Sequence, residues 1–167
     1  MVPNALEPTM VHDAVVAAKW RKLHVVVWRS STIALVLRRL LDAQAAHARA
    51  LRGEKLAVIT VLEARSITVP DAAMRAIIDE SRRFMENNAK AECVMLPGGL
   101  VAATIRGIIA GITLATRPSH RTKVVATIDE ACAFTAPLLA PSADGPVPAA
   151  ELRAMIESMQ SGRFDKR

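Results

Sequence analysis

Short runs dense in apolar and β-branched residues, each followed by a stretch of helical period, limit what this chain can fold into. His24–Trp28 reads HVVVW, Lys55–Leu62 reads KLAVITVL and Glu92–Leu96 reads ECVML. Runs of this length, without alternating polar positions, suit strands covered on both faces. Between them, Ile33, Val36, Leu37, Leu40, Leu41 and Gln44 share the spacing of one helix face. Ala73, Ile77, Ile78, Phe84 and Met85 do so again before the third run. Strands alternating with helices predict parallel pairing through right-handed crossovers.

The third unit, Ala91–Arg117, is the longest: a buried strand, a Pro97-Gly98-Gly99 turn and an apolar helix over Leu100–Thr116, stopped by Pro118. Ahead of these units, Val15–Ala18 and Leu23–Trp28 flank Trp20-Arg21-Lys22 and predict an antiparallel hairpin. Ser30-Ser31-Thr32 supplies hydroxyls for an N-cap, with the helix running from about Thr32 to Leu51 and Gly53 just past its end. Pro70-Asp71 opens the second helix. Thr122–Thr127 is a further short strand, and Asp129–Leu139 a short helix that should break near Pro137.

The chain divides by composition. Residues 1–12 carry two prolines and no period, which predicts a loose leader. Residues 13–139 form the α/β domain, with a mixed, mostly parallel five-stranded sheet, an N-terminal hairpin and helices on both sides. Residues 140–148 read as a Pro/Ala linker. Residues 149–167 hold an amphipathic helix on Leu152, Met155, Ile156 and Met159, then a tail.

Composition narrows the function. The net charge is +6, but basic residues are interspersed with acids and form no block. With three Phe, two Trp and no Tyr, the chain has few platforms for stacking bases, so no nucleic-acid partner is expected. Cys93 and Cys132 both lie in apolar runs and read as small buried side chains, in keeping with a reducing cytoplasm. Arg106 interrupts the best candidate span, so no integral membrane segment is expected.

No pattern for catalysis, a cofactor or a metal emerges. The Gly98-Gly99 turn before a helix has free N–H groups and can hold an anion, yet it matches neither the P-loop nor the G-x-G-x-x-G spacing, and a tight turn explains it as well. Gly107 and Gly111 allow close approach, either to the sheet or to another chain. Arg106 marks a solvent edge or reaches a carboxylate or anion. Arg117, His120, Arg121 and Lys123 form a basic cluster around Pro118, either a solvated loop or a site for phosphate or an acidic partner. His24 reads as a hydrogen-bonded core or edge histidine, and His47 as a surface residue. The four histidines lack metal-ligand spacing.

The element order, with its leading hairpin, and the ending Thr122–Leu139 (TKVVATIDEACAFTAPLL) resemble the STAS fold of bacterial anti-sigma-factor antagonists and of STAS/SEC14-like domains, over roughly Ala14–Leu139. The resemblance implies a non-enzymatic regulatory domain acting through a protein partner or self-association. The SEC14-like relatives imply an alternative, a module binding a small ligand or lipid. STAS regulators of the phospho-switch type carry an Asp-Ser-Ser/Thr-Gly motif after the strand matching Lys55–Leu62. Here that connection reads EARSITVPDA. Ser66 and Thr68 are hydroxyls in the right neighbourhood without the motif, which leaves them as candidate phosphoacceptors only by position.

Overall fold

The computed structural model describes residues 6–63, 66, 69–96, 98, 103–104, 119–139 and 148–162. A six-stranded sheet runs in the spatial order β1 (Glu7–His12), β2 (Val15–Trp20), β3 (Leu23–Trp28), β4 (Leu56–Leu62), β5 (Ala89–Met95) and β6 (Arg121–Val125). The first three strands pair antiparallel, and β3 through β6 pair parallel. Among the described residues the helices are α1 (Ala34–Ala50), α2 (Ala72–Asn88), α3 (Ile128–Leu139) and α4 (Ala149–Gln160).

The α/β class with a mixed, mostly parallel sheet is as the sequence predicts, but the sheet has six strands where five were expected. The extra strand is β1, in what was read as a loose leader. Its pairing with β2 around a bulge between Pro8 and Met10 explains why its own sequence hides it. An edge strand needs no continuous apolar run, and β1 is largely exposed, so its signal lies in its partner.

Every residue of β3 is buried, as its β-branched run demands. The sheet divides those residues between two faces. Val15, Ala17, Val26 and Trp28 pack against Val36 and Leu40 of α1, while Leu56 and Val58 pack against Met85 of α2. Helices α1 and α2 are consecutive crossovers between neighbouring parallel strands. Right-handed connections place both on one face, and they touch each other there. The opposite face carries Val25, Val27, Ile59, Val61, Cys93 and Met95, covered by α3 and α4. Leu152, Met155, Ile156 and Met159 of α4 are all fully buried in that cluster, so α4 is part of the core rather than an appendage.

The helix ends follow local chemistry, with one exception. The Asp71 side chain accepts from Met74 N at 2.8 Å and caps α2, as Pro70-Asp71 predicts. Thr127 and Glu130 exchange hydrogen bonds at the start of α3: Glu130 N donates to Thr127 Oγ1, and Thr127 N and Ala126 N donate to Glu130 Oε2. That capping box is built from the T-I-D-E run at positions 127–130. The Ser30-Ser31-Thr32 cap is not made. Helix α1 starts after Ile33 without a side-chain cap, and Thr32 Oγ1 is buried with no partner among the described residues. Helix α3 continues through Pro137 to Leu139 rather than breaking before it. Gly53 follows α1 at φ +97, the left-handed conformation expected of a residue beyond a helix end.

Candidate functional site

A cavity of about 380 Å³ lies between α1, α2 and the sheet face beneath them. Its walls follow from the pleat. Val26 and Trp28 of β3, Val58, Thr60 and Leu62 of β4, and Val94 of β5 point to this face because they sit at alternate positions. From above come Leu37, Leu40 and Leu41 of α1 with Ile77, Ile78 and Met85 of α2, at the i, i+3, i+4 spacing of two inward stripes. The space is thus mainly apolar, with polar groups confined to a few positions, the usual make-up of a small-molecule site.

Among the described residues, those polar groups are Gln44, Thr60, Ser81, Arg82, Glu92 and His120. Glu92 lies on β5, and His120 stands just before β6, two positions from Thr122, the register partner of Glu92. His120 Nε2 is 3.4 Å from Glu92 Oε2. The His120 side chain is 4% exposed, and its Nδ1 has no hydrogen-bond partner among the described residues. Arg82 is engaged outside, with Nη1 donating to Glu86 Oε1 at 3.0 Å. Ser119 Oγ donates to the Glu86 carbonyl at 2.8 Å and ties the entry to β6 onto α2, which fixes His120 against the cavity.

A second polar group is closed off from the cavity by packing. His24 of β3 is fully buried, and its Nδ1 faces Nδ1 of His47 on α1 at 3.3 Å. His24 Nε2 meets Thr9 Oγ1 at 3.3 Å, and His47 Nε2 meets the Arg21 carbonyl at 2.8 Å. The expected hydrogen-bonded core role of His24 is what is found. His47, expected on the surface, is buried instead, because its position on α1 lies over the β2–β3 turn. Burial pushes the His24 imidazole down to about 3, with His47 and Lys19 adding to the effect. Burial also lowers His47. Arg21, whose carbonyl His47 holds, has φ 52, a left-handed conformation uncommon outside glycine.

Of the residues singled out from the sequence, the described ones, Gly98, Arg121 and Ser66, lie apart. Gly98 is exposed, and a Cβ added there would meet nothing within 4 Å, so no close approach requires glycine. Arg121 is exposed at the start of β6, opposite Ala91, whereas Gly98 lies beyond the far end of β5. Five residues of strand from Ala91 to Leu96 separate them by about 16 Å. The described members of the basic cluster around Pro118 make separate contacts. His120 is buried beside Glu92, and Lys123 stands over the Phe134 ring at 5.7 Å. Ser66 is half-buried, and its Oγ donates to the Glu63 carbonyl at 2.7 Å. Gly99, Arg106, Gly107, Gly111, Arg117 and Thr68 lie outside the described residues, as does most of the segment Leu100–Thr116 that the sequence predicts to be helical.

The sequence reading overlooked the cavity's polar wall. Its signals were present as interruptions: Gln44 on an apolar stripe, Thr60 inside KLAVITVL and Glu92 opening a buried strand. Each is a polar residue at a position the pattern assigns to the interior, which is where a functional side chain stands out.

Cys93 and Cys132 are both buried and free, on the face covered by α3 and α4. Burial pushes the Cys93 thiol up to about 12 and that of Cys132 up to about 11, so neither is a ready nucleophile. Among the described residues no group of three or more His, Cys, Asp or Glu is placed to hold a metal ion. Among them, too, no helix is long and apolar enough to cross a membrane. Compared with protein-family models, curated proteins and solved structures, the chain matches none.

Proposed function

We propose that this chain is a non-enzymatic binding domain of STAS-like type, and that its α1–α2 face takes up a small, mainly apolar ligand. The carrying observation is the cavity of about 380 Å³, whose walls are aliphatic and whose polar groups sit at few positions. The inert thiols and the saturated His24–His47 pair favour binding over covalent chemistry.

The test is uptake of an environment-sensitive apolar fluorophore by the full chain, compared with Ile77→Trp, which places an indole into the cavity. Saturable binding that Ile77→Trp abolishes without loss of folded signal supports the reading. Absence of saturable binding by the unaltered chain removes it.

A second reading, contact with a protein partner, is favoured by the apolar residues at the start of α1. Ile33 is 61% exposed and Leu35 56% exposed. If this surface mediates self-association, sedimentation of the unaltered chain should show a concentration-dependent dimer that Leu35→Glu disperses. A strict monomer, together with failure to retain any partner, removes that reading.

A further inference from the structure

We propose that the ligand of the α1–α2 cavity is a compact amine-headed amphiphile, its ammonium group received by Glu92 and His120. This rests on the ligand-binding reading above and adds the chemistry of the head group.

The argument begins with protons. Glu92 Oε2 lies 3.4 Å from His120 Nε2, so Nε2 is the ring nitrogen that carries a hydrogen toward the carboxylate. In the neutral ring, Nδ1 is then a bare acceptor. It is buried and lacks a donor among the described residues. A carboxylate is acceptor-only, and one of its oxygens already receives the His120 hydrogen. The Glu92–His120 corner of the cavity therefore presents acceptors, while the donors of the described lining, Gln44, Thr60, Ser81 and Arg82, come from α1, β4 and α2. Arg82 also lines the cavity, but its side chain is about half exposed and its Nη1 already donates to Glu86 Oε1, so solvent and that carboxylate weaken its pull on an anion.

An acidic head group would bring a second carboxylate against Glu92, which repels it. An ammonium brings three donors and the opposite charge. A hydroxyl brings one donor and no charge, and ranks between them. The chain's net charge of +6 disfavours cations in general, so a preference for amines would come from this site and not from the overall field.

Size sets the rest of the molecule. At roughly 30 Å³ per non-hydrogen atom, the share of a water in the liquid, a cavity of about 380 Å³ holds about a dozen such atoms. A two-chain lipid is several times larger. The aliphatic wall of Val26, Leu40, Val58, Leu62 and Ile77 suits a single medium-length chain or one small ring.

The experiment compares nonylamine, nonanol and nonanoate, each below its micelle concentration, by calorimetry on the full chain at pH 7. Nonylamine is expected to bind at least tenfold more tightly than nonanoate, with nonanol between. Glu92→Gln should bring the amine and the acid within threefold of each other. Glu92→Asp keeps the charge but withdraws it by one methylene, and should give an intermediate preference; it also serves if Glu92→Gln folds poorly. Equal binding of amine and acid, or a preference that survives loss of the Glu92 charge, overturns the head-group assignment while leaving the cavity a binding site. Failure of all three probes to bind overturns the head-group assignment and the ligand-binding reading together.

Discussion

The Nδ1 atoms of His24 and His47 face each other at 3.3 Å inside the protein, and that one contact fixes where every proton of the group resides. The Arg21 carbonyl can only accept, so His47 Nε2 carries a hydrogen. Neutral His47 then presents a bare Nδ1, and His24 Nδ1 must donate to it. His24 Nε2 is left as an acceptor and takes the Thr9 hydroxyl hydrogen. A single directed chain, Thr9 to His24 to His47 to the Arg21 carbonyl, thereby joins β1, β3, α1 and the β2–β3 turn.

Acid should weaken this fold in a defined window. The folded-state pKa of His24 is about 3, below the ordinary 6.5, because burial disfavours the cation. The unfolded chain therefore binds the proton first. Stability is full above about pH 6.5 and is lost as pH falls toward 3. From pH 7 to pH 5, His24 alone accounts for about 2 kcal/mol. His47, also lowered by burial, acts in the same direction, with Lys19 reinforcing and Glu7 and the Arg21 carbonyl opposing. The lowered carboxylates Glu7, Glu80 and Glu130 lose their contribution only below about pH 4.5, so the window isolates the histidines. Urea midpoints measured from pH 5 to pH 8 should show the slope, and His24→Phe should flatten it. A midpoint independent of pH over that range contradicts buried neutral histidines.

Removing His47 should cost more than its packing. His47→Leu leaves His24 Nδ1 without an acceptor and the Arg21 carbonyl without its donor, each worth about 1–3 kcal/mol when buried. A loss of roughly 2–4 kcal/mol is expected. In the double variant with His24→Phe the polar orphans are fewer, so the two losses should fall short of additive by at least about 1 kcal/mol. Strict additivity in a denaturation cycle would mean that the contact does not couple the two rings.

Helix α4 is expected to be indispensable. Ile156 is fully buried in the cluster that includes Val25, Ile59 and Cys93. Ile156→Ala should lower stability by about 2–5 kcal/mol. A chain ended before Ala149 should expose the face of the sheet that α4 covers and bind a hydrophobic dye. Retention of a cooperative unfolding transition by the shortened chain, at an unchanged midpoint, would show that α4 is dispensable.

The two thiols should be silent in the native state. Cys93 is 0% exposed and its thiol is held near 12, so thiolate is scarce at neutral pH as well as inaccessible. Reaction with a disulfide reagent should proceed at the rate of unfolding for both Cys93 and Cys132, and become fast in denaturant. Rapid stoichiometric modification under native conditions would mean that this face opens locally.

Much of the fold was legible because it rests on local pattern. HVVVW and KLAVITVL could only be strands covered on both faces, and the stripes from Val36 to Leu41 and from Ala73 to Met85 could only be helices lying on them. Pro70-Asp71 announced a helix start because capping is settled within one turn. The alternation of strands and helices then determined the α/β class.

The remainder was decided by which residues the tertiary structure brings together. Strand β1 exists because β2 offers it an edge, and its own exposed residues carry no such signal. Arg121 and Gly98, both candidates for an anion site, end at opposite ends of β5 because strand direction separates them. Glu92 and His120 lie 28 positions apart and meet only through parallel register. His24 and His47 lie 23 apart and meet only because α1 crosses back over β3. Local periodicity specifies what each segment becomes. The pairing of distant polar groups is specified by register and crossover handedness, which no single segment encodes.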